Sequence, residues 1–110
     1  MILVKTNWYT VSKAEISMGA IKMLHIPHEH YRFTPDGYQP VTQFKEFVGL
    51  PHFLYVINGE CTIAAIENEI TLQSGEFTYL TRGDYFYHII GELPLKVVRV
   101  TKLPEQLIKK

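Results

Sequence analysis

From Phe53 to Ile90 the chain alternates short β-favouring runs with turn residues, and few folds accept that rhythm. Phe53-Leu54-Tyr55-Val56-Ile57 is a continuous apolar run ending at Asn58-Gly59, a pair able to fill both left-handed positions of a tight hairpin turn. Cys61 to Ile66 continues as a partner strand. Glu67-Asn68-Glu69, Gln73-Ser74-Gly75 and Arg82-Gly83-Asp84 then interrupt the remaining runs, the last of which is Tyr85-Phe86-Tyr87-His88-Ile89-Ile90. Short strands at roughly 8–12-residue spacing predict an all-β sandwich or barrel. The same reading over the whole chain predicts strands at 2–5, 7–12, 18–25, 30–33, 41–48, 53–58, 60–66, 69–73, 76–80, 85–90 and 95–101. Helical signals are confined to one turn at Ser12-Lys13-Ala14-Glu15 and a short C-terminal helical tail over 104–110, with Pro104 at its first position. His25 to Pro40 reads as irregular, the kind of loop that rims a site.

A chain of 110 residues is a single domain, 1–110, because smaller pieces would bury too little core. Lys and Arg together number 11, as do Asp and Glu. No basic surplus exists to neutralise phosphates, so nucleic acid is not an expected partner. No apolar run reaches the ~18–20 residues of a membrane span, so no membrane partner is expected. The N-terminus lacks the basic start and apolar core of a signal peptide, and the lone Cys61 excludes an internal disulfide. A cytoplasmic location follows as the default.

Phe53, Tyr55 and Ile57 alternate with Leu54 and Val56, so both faces of this strand are apolar. A sheet with one wet face would alternate with polar residues. Both faces must therefore be covered, and a homodimer through the sheet is the expected cover.

The middle of the chain, roughly 40–101, resembles a cupin. Gly59 stands where the family's first motif closes, Gly75 opens the second, and Arg82-Gly83 supplies its x-Gly step, with Thr81 in place of the usual Pro. The resemblance implies a double-stranded β-helix, or jelly-roll barrel. The metal positions of the family depart. Counting back from Gly59, the glutamate position holds His52, and the two histidine positions fall on Glu46 and Val48, or on Lys45 and Phe47. Counting forward from Gly83, the second-motif histidine position holds Phe86, with His88 two residues on. No cofactor is therefore expected, since the usual metal set is not reproduced.

In the implied layout His52, Leu54 and Val56 face the barrel interior, as do Phe86 and His88, and Glu46 shares a face with Phe44. His52, His88 and Glu46 are the candidate proton-transfer groups, because burial and charge pairing tune imidazoles and carboxylates toward neutral pKa values. Phe44, Leu54, Tyr79 and Phe86 are the expected walls for a small-molecule ligand. By resemblance to metal-independent sugar epimerases in the superfamily, a histidine paired with a tyrosine implies an isomerase, epimerase or cyclase. Tyr85 and Tyr87 read instead as an outward dimer surface. The alternative is a non-catalytic ligand-sensing or dimerisation module, since Phe53 to His88 also resembles the cupin half of sugar-responsive transcription regulators; no helical DNA-binding half follows within the chain. A third reading is a metal-dependent enzyme with displaced ligands, using His28, His30 or His52 to hold a divalent ion, the first two as a chelating pair if they lie on one extended segment.

Overall fold

A computed structural model describes residues 2–107, in which nine antiparallel strands form two facing sheets. The strands are β1 (Thr6–Asn7), β2 (Tyr31–Tyr38), β3 (Gln43–Val48), β4 (His52–Asn58), β5 (Glu60–Ala64), β6 (Glu69–Gln73), β7 (Glu76–Leu80), β8 (Gly83–Ile90) and β9 (Leu95–Lys102). One sheet has the order β1-β7-β4-β9-β2 and the other β3-β8-β5-β6. The pairing is nested. β5 pairs with β6 across a short turn, then β4 with β7, β3 with β8 and β2 with β9, and successive pairs fall in alternate sheets. That is a long hairpin wrapped round itself, the expected jelly roll. No helix among the described residues is long and apolar enough to cross a membrane.

The wrapping overturns the hairpin expected at Asn58-Gly59. β4 and β5 lie in different sheets, so Gly59 marks a corner where the chain crosses between them. Its φ is +84°, and a Cβ there would stand 2.7 Å from the Pro94 carbonyl oxygen. Only glycine suits both conditions. The true hairpin is the next one, β5 to β6.

The N-terminal third departs most from expectation. Residues 2–5 are not a strand; the Asn68 amide clamps the backbone of Leu3 from both sides, and Thr78 Oγ1 donates to the Val4 carbonyl. Residues 8–10 form a 3-10 turn capped by Asn7 instead of a strand. No helical turn forms at Ser12–Glu15, where Ser12 Oγ only accepts from the Ala14 amide. The expected strand at 18–25 is a helix, α1 (Met18–Leu24), begun by Ser17, whose hydroxyl accepts from the Ala20 amide. Seven residues make a marginal helix in water, and burial of Ile21 against the sheet is what holds it. At the other terminus Glu105–Leu107 is a 3-10 turn, and the rest of the expected tail, 108–110, lies outside the described residues.

These segments explain the apolar outer face of β4. Trp8, fully buried, sets its ring edge-on to Tyr55 at 5.8 Å and donates from Nε1 to the Ala14 carbonyl. With Ile16, Ile21, Phe77, Val98 and Val100 they form a second core outside the sandwich. The cover that Tyr55 needs therefore comes from the chain's own N-terminal residues, and this face does not require a second copy for it. Between the sheets, Leu54, Val56, Cys61, Ile63, Leu72, Ile89 and Val97 fill the main core. Burial pushes the Cys61 thiol up to about 12, which leaves it a packing residue.

The two kinds of glycine separate by experiment. Gly91 has φ +78° with nothing near a prospective Cβ, so Gly91→Ala should cost only the left-handed penalty, about 1–2 kcal/mol. Gly59→Ala adds the clash with Pro94 and should cost about 3 kcal/mol or more. Urea unfolding of the two variants measures the difference.

Candidate functional site

β2 and β3 are edge strands of opposite sheets, joined by the turn at 39–42, so the sandwich has a seam between them. Three rings cross it. Tyr38 stacks on Phe44 at 4.7 Å, and Phe44 on Tyr87 at 4.6 Å with planes only 6° apart. Behind this stack lies Arg99 of β9, which shares a face with Leu95 and Val97 and points between the sheets. A guanidinium in that position must be met by acceptors, because an unpaired buried charge costs several kcal/mol.

Three strands, β2, β3 and β4, meet that requirement, with the Tyr87 ring of β8 alongside. Arg99 Nε donates to Asp36 Oδ2 at 2.9 Å, and Nη2 to the Tyr38 hydroxyl at 3.2 Å. Nη1 donates to His52 Nε2 at 2.8 Å and stands 3.2 Å from Glu46 Oε1, an ion-pair distance without hydrogen-bond alignment. The guanidinium lies 5.9 Å from the centre of the Tyr87 ring. Its charge persists although burial works against it, because the surrounding oxygens more than offset that effect.

The tautomer of His52 follows from its neighbours. Arginine has only donors, so Nε2 must accept; Nδ1 then carries the hydrogen and donates to the Leu50 carbonyl at 3.0 Å. Burial, helped by the facing guanidinium, lowers the His52 pKa and keeps the ring neutral. Burial raises the Tyr87 pKa far above its ordinary value, so its phenol stays protonated. The buried Tyr87 hydroxyl and Glu46 Oε1 face each other and Arg99, the phenol directing its hydrogen toward the carboxylate.

Of the expected site residues, the structure brings together His52, Glu46 and Phe44, with Leu54 fully buried beside His52 on β4. It does not bring in His88, Phe86 or Tyr79. Tyr85 and Tyr87, expected outside, face inward, and Phe86 and His88 are exposed on the far side of the sheet. The reason is register: Tyr87 lies opposite Phe44 and Tyr85 opposite Glu46, and opposed residues share a face. Tyr79 lies on the outer face of the other sheet, its ring 4.8 Å from Phe53. His28 and His30 sit in a 3-10 turn, not on an extended segment, so the shared-face argument for chelation lapses. His25, by contrast, is buried among Tyr31, Phe33, Phe53 and Tyr55, with Nε2 at 2.8 Å from the Tyr55 hydroxyl.

Sequence reasoning missed Arg99, Asp36 and Tyr38. Arg99 had a signal, a cation in phase with Leu95 and Val97. Asp36 and Tyr38 were hidden in the stretch read as a loop, which is β2 up to Tyr38. Pro35 is tolerated there because β2 is an edge strand.

The donors at this centre do not fit a divalent metal. Both His52 nitrogens are engaged, and the carboxylates face a permanent cation that would repel the ion. No group of three or more His, Cys, Asp or Glu among the described residues is placed to hold one.

No family model matches the chain, and no curated protein matches it in sequence. Solved structures match it in fold. The EutQ protein of Clostridium difficile is similar at a TM-score of 0.57 and 17% identity, covering 68% of this chain and 58% of that one. An HTH_3 family transcriptional regulator from Vibrio cholerae gives 0.58 and 15%, covering 70% and 45%. A cupin-2 domain containing protein from Shewanella frigidimarina gives 0.55 and 18%, covering 80% and 94%. The chain thus has the cupin fold, and the matched part spans about half the length of the first two.

Two outcomes follow from the Arg99 centre. Arg99→Met strands two carboxylates and the His52 acceptor; because Asp36 and Glu46 reach water, the loss in unfolding free energy should be about 2–3 kcal/mol, less than for fully buried pairs. Arg99→Lys, lacking the planar fork, should recover under half of it. The second concerns pH. His52 and His25 both have lowered pKa values in the fold, so the unfolded chain takes up protons at about 6.5 while the folded chain resists them. Their contribution is complete above that value and declines as pH falls below it. Urea midpoints measured between about pH 7.5 and 5 should fall, and less steeply in His52→Gln.

Proposed function

We propose that this cupin-fold chain binds a small molecule between its sheets at the Arg99 centre, by recognition more than by proton transfer. The polar seam carries the reading: Asp36 and Glu46, which hold the buried Arg99, keep contact with water beside the Tyr38–Phe44–Tyr87 stack. Partial exposure of Asp36 and Glu46 at the seam supports access from the β2–β3 side.

Acid–base chemistry by histidine has less support. An isomerase, epimerase or cyclase would need a free imidazole nitrogen, and His52 has neither nitrogen free while His88 lies on another face. His52 serves in this reading to hold Arg99. A ligand-sensing module is favoured over an enzyme on that ground, and similarity to part of a transcriptional regulator agrees with it.

A fragment screen on the full chain, read by amide chemical shifts, tests the reading. Hits should perturb β3, β8 and β9 together, and Tyr87→Phe and Glu46→Gln should each weaken them by about ten-fold. His88→Ala and Tyr79→Ala should leave them unchanged. Hits that depend on His88 or Tyr79 but survive both inward substitutions would overturn it.

A further inference from the structure

We propose that the outer face of the β3-β8-β5-β6 sheet docks a second copy of this chain, face to face, about a two-fold axis parallel to the strands. The proposal goes beyond the Arg99 centre and stands independently of it.

The two sheets differ in their cover. Trp8, Ile16 and Ile21 seal the outer face of β4. On the other sheet, Phe47 of β3 and Phe86 of β8 point outward and are 57% and 58% exposed. A single exposed apolar side chain needs no cover. These two rings are diagonal neighbours on adjacent strands, because Phe86 lies opposite Lys45 and Phe47 opposite Asp84, and an exposed apolar patch of that kind marks an interaction surface.

Register decides what can cover it. Lys45 lies opposite Phe86, Phe86 opposite Ala64, and Ala64 opposite Glu69. One row across the four strands therefore reads cation, ring, methyl, anion. At about 4.8 Å per strand its ends are roughly 14 Å apart. Neither Lys45 nor Glu69 has an ion partner among the described residues. A two-fold axis parallel to the strands, midway between β8 and β5, lays this row reversed upon itself. Each Lys45 then meets the partner's Glu69, and each Phe86 ring comes over the partner's Ala64, a large side chain over a small one. The neighbouring row, Gln43–His88–Thr62–Thr71, brings His88 over the partner's Thr62 and Gln43 over the partner's Thr71. The two other carboxylates of the face stay apart: Glu60 comes over the partner's Ile90, and Asp84 falls past the end of the partner's β5. An axis laid along the row instead would set Lys45 on Lys45 and Glu69 on Glu69, and like charges opposed across an interface exclude that arrangement. The charges thus select both the occupant, a copy of the same face, and the axis.

Sedimentation equilibrium of the full chain at low salt, from about 1 to 100 µM, reads the association. The chain should dimerise in that range. Lys45→Glu and Glu69→Lys each oppose like charges at both contacts of the dimer, and each should weaken it about ten-fold or more. An equimolar mixture of the two variants restores opposite charges at both contacts of a mixed dimer, and should associate within about three-fold of the original chain. Phe86→Asp should weaken the dimer about a hundred-fold. All three positions are exposed, and amide dispersion confirms that each variant folds. A chain that stays monomeric up to about 100 µM would overturn the proposal and leave the face to a different protein. A dimer indifferent to Phe86→Asp, or a mixture no tighter than either variant alone, would overturn it as well.

Discussion

A guanidinium between two sheets imposes conditions on every strand around it. Arg99 is 7% exposed, and its donors are met from β2, β3 and β4, with the Tyr87 ring of β8 alongside. Each partner faces inward only in the observed register, because a shift of one residue would turn the whole strand over. Moving β3 by one residue would withdraw Glu46 and Phe44 and present Lys45, another cation, to Arg99. Moving β4 would replace His52 by Phe53. The charge therefore acts as a register lock at one end of a core whose other contacts, Leu54, Val56, Ile63 and Ile89, are apolar and less selective.

The nested topology places this lock where it can be reached. Wrapping one long hairpin leaves β2 and β3 as facing edges, and the Tyr38–Phe44–Tyr87 stack spans the gap that backbone pairing cannot close. Aromatic stacking is worth about 0.5–1.5 kcal/mol per pair beyond area burial, far less than a strand ladder. The seam is accordingly the side of the barrel where Asp36 and Glu46 retain contact with water. The opposite face of β4 is sealed by Trp8 and α1, which bury Tyr55 and push its hydroxyl up to about 12 while His25 holds it. The fold thus has one dry outer layer and one polar edge.

What the sequence disclosed divides along the same line. The strands from β3 to β9 were legible because local rules govern them: β-branched and aromatic runs end at Gly59, Gly75 and Gly83, where positive φ or a crossing demands glycine. The N-terminal third was not, because α1 is too short for its propensity to show and exists through burial of Ile21. Within the site, His52 and Glu46 could be placed by parity. His88 was misplaced because counting from Gly83 put Phe86 inside, against the simpler evidence of Asp84 and His88 sharing its face. Polar alternation was the better guide there. Asp36 and Tyr38 depended on a strand containing Pro35 and Gly37, which only the long pairing with β9 stabilises.

The resemblance assigns the ligand positions of a metal-binding motif to Glu46 and His52, and both side chains do converge on a cation. That cation is Arg99. A bound metal and a buried guanidinium solve the same electrostatic problem, giving inward carboxylates and imidazoles a positive charge to face. They differ in what they leave over. A metal offers coordination positions and polarises whatever fills them. A guanidinium offers only directional N–H groups, and here nearly all are committed to the protein. Glu46 and the Tyr87 hydroxyl beside it belong to the same closed set of contacts, so the inward polar groups are spent on holding Arg99, and Asp36 and Glu46 meet water only where the seam opens.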